Sequence, residues 1–284
     1  MMGLVANDDG APDADRLDYL ARDSRYLNMP CSVDARRIMA TSKVCGGGRV
    51  VGWPVKEAFA LMDVYHTRYK LHKMAYRHRV SVGIDALLTD ALLTADSHLH
   101  FTASIHDPSA FLALDDTIFH RIQFSTEAAL APARSLITRL RRRQLYPLCG
   151  ELLCTPPTPA APGAAPVQRR PTAADVAAHQ SPKGGVDLRP EDIVVSPAVL
   201  SYAMGAVNPV ERIPFWEAGG GGDGADVLLG EGGVKRVSRL VGVGACHEEV
   251  IRVYARRQGA DVASSVRTAF RRCVDAWGLG EVTM

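Results

Sequence analysis

The sequence predicts a mostly helical protein that ends in a small mixed α+β lobe. Apolar residues recur three and four positions apart from 59 to 100, and no proline lies between Pro54 and Pro108. After residue 187, short apolar runs separated by turn residues replace that helical period. One rod of roughly forty residues would extend about 60 Å. We therefore predict two helices with a bend near Ser81–Gly83, because glycine is unfavourable inside a helix.

Composition divides the chain into three parts. Residues 1–154 carry the helical pattern, whereas residues 155–186 are rich in Pro and Ala and lack periodicity, which predicts a flexible linker. Residues 187–284 show strand-like runs closed by a helix, the pattern of an α+β lobe. We therefore predict a helical domain, a linker and a C-terminal lobe with these boundaries.

Charge and cysteine content exclude several classes of protein. The chain has 33 Lys and Arg against 31 Asp and Glu, so its net charge of +2 gives no reason to expect bulk nucleic-acid binding. Its six cysteines are scattered without a C-x-x-C pair, which predicts reduced thiols in an intracellular protein. No apolar run approaches the ~20 residues of a membrane span, so no membrane partner is predicted.

The first half of the long helical stretch is strongly basic. Between Val64 and Ile84 there is no acidic residue but there are five Lys and Arg. Four of its side chains share one face by their spacing of i, i+4, i+8 and i+11: Arg68, His72, Tyr76 and Arg79. Cations with an aromatic ring between them suit a polyanion, since guanidinium groups donate to phosphate oxygens. Spacing alone equally describes a solvated basic face, which is the commoner case.

A second candidate lies near the N-terminus, where Asp15, Tyr19 and Asp23 fall at i, i+4 and i+8 of a predicted helix. Two carboxylates beside a phenol could hold a metal ion or a sugar hydroxyl. Taken alone, they are better explained as acids that favour a helix N-terminus.

The basic segment HTRYKLHKMAYRHR resembles the H-T-R-x-S-L-H-x-x-A-Y-x-H-K helix of eukaryotic deoxynucleoside triphosphate (dNTP) triphosphohydrolases. Those enzymes pair a sterile-alpha-motif domain with an HD domain. Three further segments agree in the same order: DADRLDYLARDSRYL, RQLYPLCGE and VIRVYARR. The resemblance covers most of the chain and implies the C-terminal part of an HD-type helical fold.

The resemblance implies metal-assisted hydrolysis of a dNTP to a deoxynucleoside and triphosphate. In this sequence Asp15 matches the last metal ligand of the family. The matches to substrate contacts are Arg16, Tyr19, Asp23, Arg68, Tyr76 and Arg77. The matches to contacts with a regulatory nucleotide are Arg37, Lys56, His78, Arg79 and Arg143. Pro54, Ala60 and Met74 replace polar family residues, which predicts weaker control by nucleotide.

The resemblance also implies partners and a location. The family uses GTP and dNTP activators and forms tetramers, so we expect a homo-oligomer, or a hetero-oligomer with a full-length relative. The resemblance also favours a nuclear over a cytoplasmic location.

The other metal ligands of the family, a His and a contiguous His-Asp pair, have no match ahead of Asp15. A divalent ion (Fe, Mn, Zn or Mg) is therefore expected in the complete family site but not in this chain alone. Two alternatives stay open: a catalytically inactive nucleotide-binding or oligomerisation module, and a single-stranded nucleic-acid binder that uses the basic helix face.

Overall fold

The computed structural model describes residues 2–7, 11–45, 50–154, 170–181, 185–203, 208–217, 227–229 and 246–283. This part of the chain forms α-helices with two four-stranded sheets, which confirms the predicted mostly helical fold with a small mixed lobe. No helix within it is long and apolar enough to cross a membrane. The residues Gly46–Gly48, where the sequence suggests a hairpin turn, the glycine run 219–222 and the strand-like run near residues 234–240 lie outside the described residues.

The contacts group the chain into two compact units, each built from two separate segments. The first unit comprises residues 1–78 and 198–249, and the second comprises residues 79–197 and 250–284. The division predicted from composition, at residues 154 and 187, stays a prediction.

The first unit begins with helices α1 (Met2–Val5), α2 (Ala14–Tyr26) and α3 (Ala35–Thr41). Strands β1 (Lys43–Cys45) and β2 (Val50–Pro54) pair antiparallel, and helix α4 (Ala58–Leu71) follows. Strand β5 (Phe215–Glu217) joins β2 in parallel, and β6 (Val227–Leu229) pairs antiparallel with β5. The core packs one face of α2 against α4 through fully buried side chains: Leu20, Leu61, Val64, Tyr65 and Leu71.

The second unit begins with the long helix α5 (Arg79–Leu99). Helices α6 (Pro108–Leu112), α7 (Thr117–Phe124) and α8 (Ala131–Arg141) follow it. The apolar faces of α5, α7 and α8 meet in a cluster that includes Ala91, Ala95, Ile122 and Ile137.

The sheet of the second unit has the strand order β4-β7-β3-β8. Its strands are β3 (Leu148–Cys154), β4 (Ile193–Ser201), β7 (His247–Ala255) and β8 (Val282–Thr283). The last residues of β4 and the first residues of β7 belong to the first unit. Helix α10 (Ala260–Trp277) packs on the sheet through buried residues such as Val266 and Phe270.

The segment predicted as a linker contains an ordered piece. Helix α9 (Ala173–Ala178) forms within residues 155–186 and begins with a capping box between Thr172 and Asp175. Val176 is fully buried in the same core as α10. The helix could not be predicted, because its six residues are too few to show an apolar period.

The break in the long helical stretch lies at Arg77–His78, not at the predicted Ser81–Gly83. Gly83 is buried inside α5, and a Cβ built on it would lie 3.3 Å from Cε1 of Tyr254. The glycine therefore makes room for an aromatic ring rather than ending the helix. His98 and His100 form an H-x-H motif, whose spacing is consistent with the end of a strand, but the structure places it at the C-terminal end of α5.

Candidate functional site

Helix α2 presents three of the predicted substrate residues on one face. Asp13 caps its N-terminus by accepting a hydrogen bond from the Arg16 backbone N–H at 2.7 Å. Burial of Leu17 and Leu20 fixes the rotation of the helix. Arg16, Tyr19 and Asp23 then fall at i, i+3 and i+7 and are all half-buried.

Side chains of α4 and of the turn after it meet this face. The Tyr76 hydroxyl donates to Oδ2 of Asp23. The Arg68 guanidinium hydrogen-bonds the Tyr19 hydroxyl, and Arg16 hydrogen-bonds Tyr65, which is fully buried. We call Arg16, Tyr19, Asp23, Arg68 and Tyr76 the α2–α4 cluster. The structure thus brings together five of the six predicted substrate residues.

Burial raises the pKa of both cluster phenols, Tyr19 and Tyr76. At Tyr76 the hydrogen bond to Asp23 raises it further, whereas at Tyr19 the charges of Arg68 and Arg16 oppose the rise. Both phenols are therefore neutral hydrogen-bonding groups at physiological pH. They can orient a polar ligand, but they do not supply a phenolate base.

Arg68 is fixed by uncharged partners. Its Nη1 donates to the carbonyl oxygen of Ser201 at 2.7 Å and to that of Tyr202 at 3.4 Å. Because carbonyls and phenols carry no formal charge, these contacts orient the guanidinium without neutralising it. The cluster can therefore attract an anion.

The turn that follows α4 is a π-helix, His72–Tyr76, with Arg77 at its C-terminal end. Such turns place an extra residue within a helix and are frequent at functional sites. Burial, followed by the charges of Arg68 and Arg77, lowers the pKa of His72 to about 4. A neutral His72 packs edge-on against Tyr76, with ring centroids 5.1 Å apart. Arg77 is exposed beside it.

Asp15, the predicted metal ligand, lies on the exposed side of α2. Within the described ranges, no group of three or more His, Cys, Asp or Glu residues is arranged to hold a metal ion. A catalytic metal site needs several such ligands around one ion. Asp15 and the other described residues therefore do not form a complete site for a divalent metal.

The predicted regulatory residues fall in both units. In the first unit, Arg37 makes a two-pronged ion pair with Glu57: its Nε lies 2.9 Å from Oε2, and its Nη2 lies 3.0 Å from Oε1. Glu57 is only 1% exposed, whereas the Arg37 side chain is 58% exposed. Lys56 and His78 are exposed in the same unit.

In the second unit, Arg79 is the first residue of α5 and is exposed. Arg143, also exposed, follows α8 with a left-handed φ of 58°.

Several residues that support the site are not predicted by the sequence. Glu57 positions Arg37, the Ser201 and Tyr202 carbonyls hold Arg68, and Tyr65 contacts Arg16. Glu57 could not have been found from residue spacing, because it lies 20 positions from Arg37. The two carbonyls could not be found either, since backbone groups 133 and 134 positions from Arg68 leave no trace in residue spacing.

Comparison with known proteins supports the resemblance. No protein-family model matches the chain. The chain is 30% identical over 269 residues, 95% of its length, to the deoxynucleoside triphosphate triphosphohydrolase SAMHD1 homolog of Dictyostelium discoideum. It is 31% identical over 229 residues, 75% of its length, to the human deoxynucleoside triphosphate triphosphohydrolase SAMHD1.

A putative HD domain-containing protein of Acanthamoeba polyphaga mimivirus is 29% identical over 120 residues, 42% of the chain. The chain spans 48%, 36% and 26% of the length of these three curated relatives, so it corresponds to less than half of each. By these likenesses, the chain belongs to the HD-domain family of deoxynucleoside triphosphate triphosphohydrolases.

Proposed function

We propose that the α2–α4 cluster binds a dNTP and that the protein acts in dNTP hydrolysis to a deoxynucleoside and triphosphate. The observation that carries the proposal is the meeting of two oriented cations, Arg16 and Arg68, with the Asp23–Tyr76 pair on one surface of the first unit. The relatives' names provide the reaction, and the cluster provides groups that suit its substrate.

The division of labour within the cluster follows from its chemistry. Arg68 and the neighbouring Arg77 donate to phosphate oxygens, which favour the planar guanidinium fork. Arg16 adds positive charge from α2. The Asp23 carboxylate accepts a hydrogen bond from the deoxyribose 3′-hydroxyl, and the Tyr76 hydroxyl is a second polar partner for it. Tyr19 contacts the sugar on the same side. These residues bind and orient the substrate.

Binding is tested by calorimetric titration of the 284-residue protein with dGTP. Arg77→Ala removes a charge-assisted contact to phosphate and should weaken binding about tenfold or more. Lys70→Ala is the matched control, because Lys70 is exposed on α4 and takes no part in the cluster. It should change the affinity less than about twofold.

Equal effects of the two substitutions would contradict the proposal. If binding of a single-stranded oligonucleotide were tighter than that of dGTP and fell steeply with salt, the nucleic-acid alternative would be favoured instead. The sugar contact is tested with 2′,3′-dideoxy-GTP. The parent protein should bind it more weakly than dGTP, whereas the Asp23→Ala variant should bind the two nucleotides with equal affinity.

Hydrolysis is tested separately by triphosphate release with Mg²⁺ or Mn²⁺. Release that disappears in Asp15→Ala would assign Asp15 a role in catalysis. Binding of dGTP without release would favour the nucleotide-binding or oligomerisation module. The same samples, passed over a sizing column with and without GTP and dNTP, test the proposed tetramer.

We further propose that regulatory nucleotides contact Arg37, Lys56 and His78 in the first unit, and Arg79 and Arg143 in the second. Arg37 supports this best, because Glu57 holds its guanidinium in one orientation while most of the side chain faces solvent. Arg37→Ala should raise the concentration of dATP or GTP that gives half-maximal binding, whereas Arg36→Ala, at the exposed neighbouring position, should not. Equal effects of both would contradict this assignment.

A further inference from the structure

A pocket of about 390 Å³ opens beside the first turn of α5, entirely within the second unit. Helix α5 contributes Arg79, Val80 and Gly83 to its wall. The volume lies within the ~300–1,000 Å³ typical of small-molecule sites.

The rest of the wall is apolar. Leu145 and Leu148 line it together with the rings of Tyr146 and Tyr254. Both tyrosine hydroxyls are engaged elsewhere: that of Tyr146 donates to Oδ2 of Asp90 at 2.8 Å, and that of Tyr254 donates to the Arg79 carbonyl at 2.7 Å. Since both rings are almost fully buried, the apolar surface that a ligand can reach is provided mainly by Val80, Leu145 and Leu148.

The wall keeps its shape because its parts are tied together. Tyr146 and Tyr254 are 5% and 1% exposed and belong to one buried cluster with Val82 and Leu87 of α5. The Asp90 carboxylate that accepts from Tyr146 also accepts from Nε of Arg256 at 2.6 Å. A preformed wall favours binding, since little ordering entropy is lost when a ligand enters.

The charge of the wall selects the ligand. Among the lining residues that the structure describes, Arg79 carries the charge and is exposed, and Val80 offers 42% of its surface to solvent. An apolar cavity beside a single guanidinium suits a molecule with a flat hydrocarbon body and one anionic group.

We propose that this pocket is a binding site for a small aromatic anion, an aryl carboxylate or sulfonate, with the ring against Val80, Leu145 and Leu148 and the anion on Arg79. The pocket shares no side chain with the α2–α4 cluster, and Arg79 is the residue that it shares with the proposed regulatory contacts. The probes below contain no nucleotide, so the two proposals are tested separately. Failure of the pocket proposal would leave the proposal for the α2–α4 cluster untouched.

The probes are 2-naphthalenesulfonate and its neutral counterpart naphthalene, titrated into the protein labelled with ¹³C in Val and Leu methyl groups. The sulfonate should shift the methyl signals of Val80, Leu145 and Leu148. The Leu93 methyls report non-specific binding, because Leu93 is 65% exposed on α5 and lies outside the pocket lining.

Arg79→Gln should weaken the sulfonate about fivefold and leave naphthalene unchanged. Arg121→Gln, at an exposed position of α7, should affect neither probe. Leu145→Trp, at a half-buried position of the wall, should weaken both probes by filling the cavity.

Three results would overturn the proposal. One is the absence of shifts in the lining methyls. Another is a Leu93 shift as large as theirs. The third is an equal loss of sulfonate affinity in the Arg79 and Arg121 variants. Folding of each variant is checked by its unperturbed methyl spectrum, so that a loss of affinity reports on the pocket itself.

Discussion

Arg68 of the α2–α4 cluster and three arginines at and just after the C-terminal end of β7 are held in opposite ways. Arg68 donates to two backbone carbonyls and a phenol, whereas Arg256 makes a two-pronged ion pair with Asp90, at 2.6 and 3.2 Å. Arg252 pairs with Glu151, and Arg257 pairs with Asp192 at 3.3 Å.

The difference separates two uses of the same residue. The neutral partners of Arg68 leave its charge for an incoming anion, whereas the carboxylate partners of Arg252, Arg256 and Arg257 balance that charge and tie segments of the second unit together. Carboxylate pairs also occur in the first unit. Arg37–Glu57 and Lys73–Glu248 lie outside the cluster, whereas Arg16 of the cluster lies 3.9 Å from Asp13.

The largest expected effect tests the ion pair between Arg256 and Asp90. Arg256→Ala removes the pair with Asp90 and the hydrogen bonds to the Glu191 and Ile193 carbonyls. The Asp90 side chain, 18% exposed, is left without its cation. We expect the free energy of unfolding to fall by about 2–3 kcal/mol, measured by urea denaturation. A loss below about 0.5 kcal/mol would contradict this assignment.

A weaker effect on stability, with a stronger one on binding, is expected at Arg68. Arg68→Ala loses the Ser201 carbonyl contact but leaves no carboxylate unpaired, so the free energy of unfolding should fall by about 1 kcal/mol. Binding of dGTP should weaken about tenfold or more. Arg68→Lys, which keeps the charge without the fork, should retain part of the binding. The comparison fails if Arg68→Ala and Arg256→Ala destabilise the protein equally.

Burial of His72, together with the charges of Arg68 and Arg77 near the π turn, predicts a dependence of stability on pH. His72 has a pKa of about 4 in the folded protein, against about 6.5 in an unfolded chain. Between these values the unfolded state binds more protons, so stability falls as the pH falls from about 6.5 to about 4. We expect His72 to contribute on the order of 1 kcal/mol, after solvent screening. His72→Gln should flatten the pH profile of urea unfolding in this window, and an unchanged profile would count against it.

The smallest effect concerns one contribution to that pKa. Arg77→Ala removes the weaker of the two charges that act on His72, after burial and Arg68. The His72 pKa should therefore rise by up to about one pH unit, read from the imidazole signal in an NMR titration. Lys70→Ala, on α4, provides the reference. A larger shift of the His72 pKa in this variant than in Arg77→Ala would show that the total charge of the helix, rather than Arg77, sets the pKa.

How far the sequence predicts this structure depends on the distance between interacting residues. The helical period correctly indicates two helices, but it could not show that Tyr254 packs on Gly83 within the helix. On α2, spacing grouped Asp15 with Tyr19 and Asp23. Burial of Leu17 and Leu20 turns the helix so that Arg16, rather than Asp15, joins them.

The family motif predicted most of the α2–α4 cluster, whereas its supports come from far along the chain. The Ser201 carbonyl, 133 residues from Arg68, is visible only in the folded protein. Glu57 lies 20 residues from Arg37, beyond any helical period, so its ion pair left no pattern in the sequence.

The interleaved segments of the two units have a consequence for biosynthesis. Residues 1–78, which contain α2 and α4, leave the ribosome first, but the Ser201 carbonyl belongs to a segment that follows the 119 residues 79–197. At a synthesis rate of about 5–20 residues per second, that delay is on the order of ten seconds. During this time Arg68 lacks its carbonyl partners and the buried face of α4 lacks Val210 and Phe215. Until residue 249 has been made, the nascent first unit exposes apolar helix faces of the kind that chaperones cover.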